Sequence, residues 1–294
     1  MKKITLFLML LCIAVCVQAQ LLWKVSGKNL TQPSYVFGTH HLSPLSIRDS
    51  IAGFDAAFKD VQQLYGEIVM EDMMKPDILV QIQQKTILPG DTTLTMLYTK
   101  EKYDTLASGI KELMGVDLKM FDKITPVALS VQLSVFIAMK SVKDFNPQQQ
   151  LDIWLQAEAK KNGKPVGGLE TVESQIKVLY GSKSLKRQAD ELYCTVTHLD
   201  FASAQVNEMT KAYMSQNLDG LLAVMERKLN NDCDATAEEE EAMIYDRNIA
   251  WVNIMPELME VKPTMFIVGG GHLPGERGLL QLLKNLGYTV EPVN

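Results

Sequence analysis

Two of the four histidines in this 294-residue chain close the same short pattern. Gly38-Thr39-His40-His41 and Gly269-Gly270-Gly271-His272 each follow an apolar run and each lead into leucine. A glycine after a strand lets the backbone turn sharply and approach a ligand closely. A histidine three residues on then lies at the strand's carboxyl end, where open α/β sheets bind ligands. One such unit is weak information, but its repetition nominates His41 and His272 as a convergent pair. His40 is a second candidate at the first turn, as a ligand or as an outer donor. Glu67 interrupts the apolar run Leu64-Tyr65-Gly66-Glu67-Ile68-Val69. Buried in mid-strand it would need a cation, a metal or a strong donor, whereas strand alternation alone could put it on a wet face. Glu170 ends the short strand from Lys164, just before Thr171 caps a helix, a place where the helix dipole by itself welcomes a carboxylate. Arg247, with Asn248, lies on the polar side of a helix containing Ile244 and Trp251, and an ordinary surface ion pair accounts for it equally well.

The elements that must position these residues are short strands and many helices. Strands are expected at Tyr35-Val36-Phe37, Gln63 to Val69, Met265-Phe266-Ile267-Val268 and Tyr288 to Val293. Helical patterns cover Asp55 to Asp60, Lys102 to Met114, Pro126 to Lys140 and Asp152 to Lys161, so the middle of the chain is nearly all helix. The expected fold is α/β: a central, parallel sheet from N- and C-terminal strand-turn-helix units that meet at one edge, with a largely helical middle region. The apolar segment from Pro126 to Met139 is too short for a bilayer crossing of about 20 residues and carries Gln132 and two serines, so it reads as a core helix. Glu238 to Glu241 reads as the solvated start of a helix rather than a cation site.

Residues 1–19 read as a secretory signal: Lys2-Lys3, an apolar run, then Val17-Gln18-Ala19 with small residues where signal peptidase needs them. Cleavage before Gln20 would leave one domain over residues 20–294, exported to the periplasm or the exterior. Neither Cys12 nor Cys16 follows a small residue, which argues against a lipoprotein. Cys194 and Cys233 then remain alone in an oxidising compartment, too sparse for a cysteine zinc site, and are a candidate disulfide. Hydrophobic content of 47% supports a real core, and a net charge of −6 without any basic stripe argues against nucleic acid as a partner.

The chain resembles the TraB/GumN proteins, a family that includes the TIKI metalloproteases and is distantly similar to ChaN and erythromycin-esterase folds. The resemblance runs from Leu22-Trp23-Lys24-Val25 through Tyr35-Val36-Phe37-Gly38-Thr39-His40-His41-Leu42 and Glu67 to Leu88-Pro89-Gly90-Asp91. It continues through Gly168-Leu169-Glu170-Thr171, Gln175 and Tyr245-Asp246-Arg247-Asn248, and closes on Val268-Gly269-Gly270-Gly271-His272-Leu273-Pro274-Gly275. His40 departs from the family, which usually has an apolar residue there. The resemblance implies a divalent-metal site at the two Gly-x-x-His turns. It carries His41, His272 and Glu67 as ligands, and Glu67, Glu170 and Arg247 as catalytic partners. Two imidazoles and a carboxylate with open positions suit Mn, Fe, Co or Zn better than Ca or Mg. Such a centre lowers the pKa of bound water to about 7 and polarises a carbonyl. A second carboxylate can then act as general base, and Arg247 can hold an oxyanion or a substrate carboxylate. The expected activity is metal-dependent hydrolysis of a peptide or protein outside the cytoplasm. The alternative is a non-catalytic binder of a peptide, a metal or haem. The chain has no Gly-x-Ser-x-Gly elbow, no His-Glu-x-x-His pair and no phosphate-cradling loop.

Overall fold

The computed structural model describes residues 20–293, so the expected signal segment lies outside the described residues. Six strands, β1 (Leu22–Ser26), β2 (Ser34–Thr39), β3 (Gln63–Gly66), β4 (Val166–Gly168), β5 (Thr264–Gly269) and β6 (Thr289–Pro292), make one sheet in the order β4-β3-β5-β2-β1-β6. The strands β4, β3, β5 and β2 run parallel, while β1 and β6 are antiparallel additions at the other edge, so the sheet is mixed rather than wholly parallel. The apolar runs of β2 and β5 are those of strands covered on both faces, and these two strands lie side by side. Thr39 pairs with Gly269, which sends both Gly-x-x-His turns off the same carboxyl edge.

The expected position of Glu67 is corrected here. β3 stops at Gly66, so Glu67 lies just beyond the strand rather than inside it. The cause is a side chain: Gln156 donates to Ile68 O and accepts from Met70 N, both at 2.9 Å, and so takes the backbone groups a longer ladder would use. The two turn glycines, moreover, are not in the left-handed region. A Cβ on Gly38 would sit 2.8 Å from Leu273 Cδ1 and 3.1 Å from Gly270 Cα, so this glycine permits close approach of the two turns.

Helices cover the sheet, and the middle of the chain builds a second apolar core from Leu94, Leu106, Ile110, Leu129, Leu133 and Leu192. The helix Pro126–Ser141 belongs to it, and among the described residues no helix is long and apolar enough to cross a membrane. Thr236 and Glu239 form a capping box that starts the acidic helix, as the run of glutamates suggested.

Cys194, in the helix Leu185–Thr197, is joined to Cys233 in the loop before that capping box. Arg187 pins the same loop, donating to the carbonyls of Asp232 and Asp234 and forking onto both Glu239 oxygens at 2.9 Å. The Arg187 bonds hold the Glu239 carboxyl down to about 2, against 4.5 when free. A depressed carboxyl stabilises the fold fully above its unfolded pKa and loses that contribution as pH falls toward its folded one. Urea unfolding at pH 7 and pH 3 is therefore expected to show a stability loss on acidification that is smaller in Glu239→Gln than in the parent chain. Equal losses would remove this pair from the account.

Candidate functional site

The centre of the site is a guanidinium buried between two carboxylates. Arg247 comes from the first turn of the helix Asp246–Val261 and is only 8% exposed. Its Nη2 lies 2.5 Å from Glu67 Oε2 and 2.6 Å from Glu170 Oε1, which also accepts from Nε at 3.1 Å. Gln175 Nε2 bridges the same two carboxylates at 3.0 and 3.2 Å. Glu67 and Glu170 occupy equivalent places just past the parallel strands β3 and β4, and Glu170 N donates to Glu67 O across the gap. Burial by itself would raise the Glu67 pKa, but His272, Arg247 and the Gly269 N–H at 2.8 Å outweigh it, and the group is held below the usual carboxylate range. The surface ion pair that Arg247 allowed in the sequence is thus replaced by a buried cluster.

His272 joins this cluster in a defined tautomer. Asn248 Nδ2 donates to Arg277 O at 2.9 Å and lies 3.4 Å from His272 O, which turns its Oδ1 toward His272 Nδ1 at 2.7 Å. Nδ1 therefore carries the proton and Nε2 is the lone pair, facing Arg247 Nη1 at 3.1 Å and Glu67 Oε1 at 3.9 Å. Burial pushes the His272 pKa down to about 4, so the ring is neutral at pH 7. Trp251 packs on it with ring centroids 4.5 Å apart and also stacks against Arg247.

His41 has a partner that the sequence reading missed. Asp152, in the first turn of the helix Leu151–Lys161, is buried, accepts from Thr39 Oγ1 at 2.7 Å and lies 3.2 Å from His41 Nδ1. Asp152's charge raises the His41 pKa to about 9 although the ring is half exposed. Burial would raise the Asp152 pKa; the His41 charge and the Thr39 bond win, and it is lowered. The 3.2 Å contact is off-line for a hydrogen bond, and Asp152 Oδ2 has no hydrogen-bond partner among the described residues. His40 turns elsewhere: its Nε2 meets Thr210 Oγ1 at 3.2 Å and its ring lies against Tyr213, whose hydroxyl donates to Gly38 O. It supports the turn and does not line the cleft that His41, Glu67 and Asp152 share.

Among the described residues no three His, Cys, Asp or Glu side chains already form a cluster able to hold a metal ion. The donor chemistry nevertheless fits one. His272 is steered through Nδ1 by the Asn248 oxygen, which is how metal-ligating imidazoles are held, and a buried Asp152 oxygen faces His41 Nδ1 at 3.2 Å. Arg247 Nη1 is the obstacle, because it faces the His272 lone pair that a metal would take.

Fold and site together define an α/β protein with a buried histidine, carboxylate and arginine centre at the carboxyl edge of its parallel strands. The chain belongs to the TraB/PrgY/gumN family, whose model matches residues 21–292. It is similar to a protein of Danio rerio named metalloprotease TIKI2, 22% identical over 92% of this chain and 60% of that one. It is also similar to a metalloprotease TIKI homolog of Nematostella vectensis, 25% identical over 92% of this chain and 66% of that one. The chain thus spans less than two thirds of the length of these relatives. No solved structure matches it significantly.

Removing one partner from a buried charge cluster leaves the others uncompensated, at a cost of about 3–5 kcal/mol. Arg247→Ala is expected to lower unfolding free energy by that order, while His41→Ala, which removes a half-exposed and solvent-screened partner, should lower it by less. Denaturant titration of both variants checks this, and equal effects would show that Arg247 is not the keystone.

Proposed function

We propose that this chain is an exported, metal-dependent hydrolase acting on peptides. The observation that carries the proposal is the buried set of Glu67, Arg247, Glu170 and neutral His272 at the strand ends, opening onto a cleft shared with His41 and Asp152. Such a constellation is expensive to bury and is concentrated where chemistry occurs. The names of the two relatives support a metal and a peptide bond as the reaction's terms. His41, His272 and Glu67 are the residues that would hold the ion, with Mn, Fe, Co or Zn as the matching metals. A bound ion of this kind supplies a water of lowered pKa and a polarised carbonyl.

The chain's own residues divide the remaining work. Asn248 orients the His272 imidazole through Nδ1, and Asp152 faces His41 Nδ1. Glu170 and Gln175 hold Arg247, so Glu170 is a positioning residue here rather than the general base that its place in the sequence suggested. Glu67 lines the cleft with both oxygens engaged, Oε1 by the Gly269 N–H and Oε2 by Arg247 and Gln175. Arg247 brings a fixed positive charge to stabilise an oxyanion or a substrate carboxylate. The contact of Arg247 with His272 Nε2 favours one other reading, a peptide-binding protein in which the arginine alone meets the ligand.

Metal analysis after dialysis, paired with turnover of a peptide library, separates the two. His272→Ala is expected to abolish both metal retention and cleavage, and Asn248→Ala to weaken metal affinity by about 10–100-fold. Retained metal and unchanged cleavage in His272→Ala would defeat the hydrolase reading.

A further inference from the structure

Beside the charged cluster lies a cleft of about 420 Å³ whose two walls differ in kind. His41, Glu67 and Asp152 form one. The other is apolar, built by Leu42, Met73, Val131, Val135, Phe145 and Tyr180. Apart from those three ionisable groups on the first wall, no Asp, Glu, Lys or Arg lines the space. Val131 is 48% exposed on the helix Pro126–Ser141, whose Leu129 and Leu133 are buried in the second core. An apolar side chain left open beside a polar centre is the usual composition of a ligand pocket.

We propose that this cleft is the specificity subsite of the enzyme and takes a large, uncharged apolar side chain of a peptide, of the leucine, methionine or phenylalanine kind, while rejecting acidic ones. The inference rests on the hydrolase reading above. The apolar wall removes such a side chain from water, and flexible Met70 and Met73 let the pocket adapt to its shape. Rejection comes from the first wall, where two carboxylates, Glu67 and Asp152, outnumber the single imidazole of His41. A carboxylate brought into the cleft would lose its water and meet two carboxylates, with no lysine or arginine lining the space to pair with it. Val131 is the residue best placed to test this, because it lines the cleft and is exposed enough to be changed without cutting into the core.

The experiment incubates the full mature chain, supplied with Mn²⁺, with a library of blocked peptides and reads cleavage sites by mass spectrometry, for the parent and for Val131→Lys. Binding of matched leucine- and glutamate-bearing peptides to His272→Ala, with and without Val131→Lys, is measured in parallel by fluorescence anisotropy. Apolar residues should be favoured over Asp and Glu at one position by about tenfold or more, and Val131→Lys should shift that preference toward glutamate. A general loss of folding cannot produce such a reversal. Cleavage that ignores side-chain polarity, or a preference that Val131→Lys leaves unchanged, would overturn the proposal. An absence of all cleavage with the binding preference and its reversal intact would sink the hydrolase reading and support the subsite. Absence of both cleavage and binding would overturn the subsite.

Discussion

The pairing of Arg247 with Glu67 and Glu170 is the interaction on which the site depends. It joins three elements remote in sequence: the exits of β3 and β4 and the first turn of the helix Asp246–Val261. Each charge alone would be costly at this depth, since burial without a partner is among the larger destabilising events in a fold. Together they fix one another, and Gln175 satisfies a further lone pair on each carboxylate. His272 is then oriented between this cluster and Asn248, so the same helix supplies the arginine and the group that sets the imidazole's tautomer.

The sheet makes this possible by bringing the two ends of the chain together. β2 and β5 are adjacent and in register, and the close approach permitted by Gly38 lets their turns leave side by side. The helical middle has a core of its own, and its helix Pro126–Ser141 brings Val131 and Val135 to the cleft, while Asp152 reaches the same cleft from the helix Leu151–Lys161.

Much of this was legible in the residues, for identifiable reasons. Continuous apolar runs mark buried strands, and a glycine and histidine at fixed spacing after each marks the turns, so the strands, the helical middle and the His41 and His272 turns could be read directly. Glu67 was placed one step wrongly because the strand ends through a bond from Gln156, a residue far along the chain whose role no local pattern announces. Asp152 was missed because an acid in the first turn of a helix is ordinary by itself. Only its contacts with Thr39 and His41, set by the tertiary fold, distinguish it. Arg247 looked like a surface residue because periodicity shows which side of a helix is polar and not what will cover that side. The antiparallel β1 was not read as a strand because half-exposed Trp23 and Lys24 weaken its pattern, whereas β6 lies within the expected strand Tyr288 to Val293.

The central claim is that the carboxyl edge of the sheet holds one metal centre shared by the two turns. A crystal structure of the protein grown with Mn²⁺, with the ion located by its anomalous scattering, tests this most directly. The account predicts an ion between His272 Nε2 and Glu67, within bonding reach of His41, with Arg247 Nη1 displaced from the imidazole. A structure in which Arg247 still caps His272 at full Mn²⁺, with the ion elsewhere or absent, would contradict it.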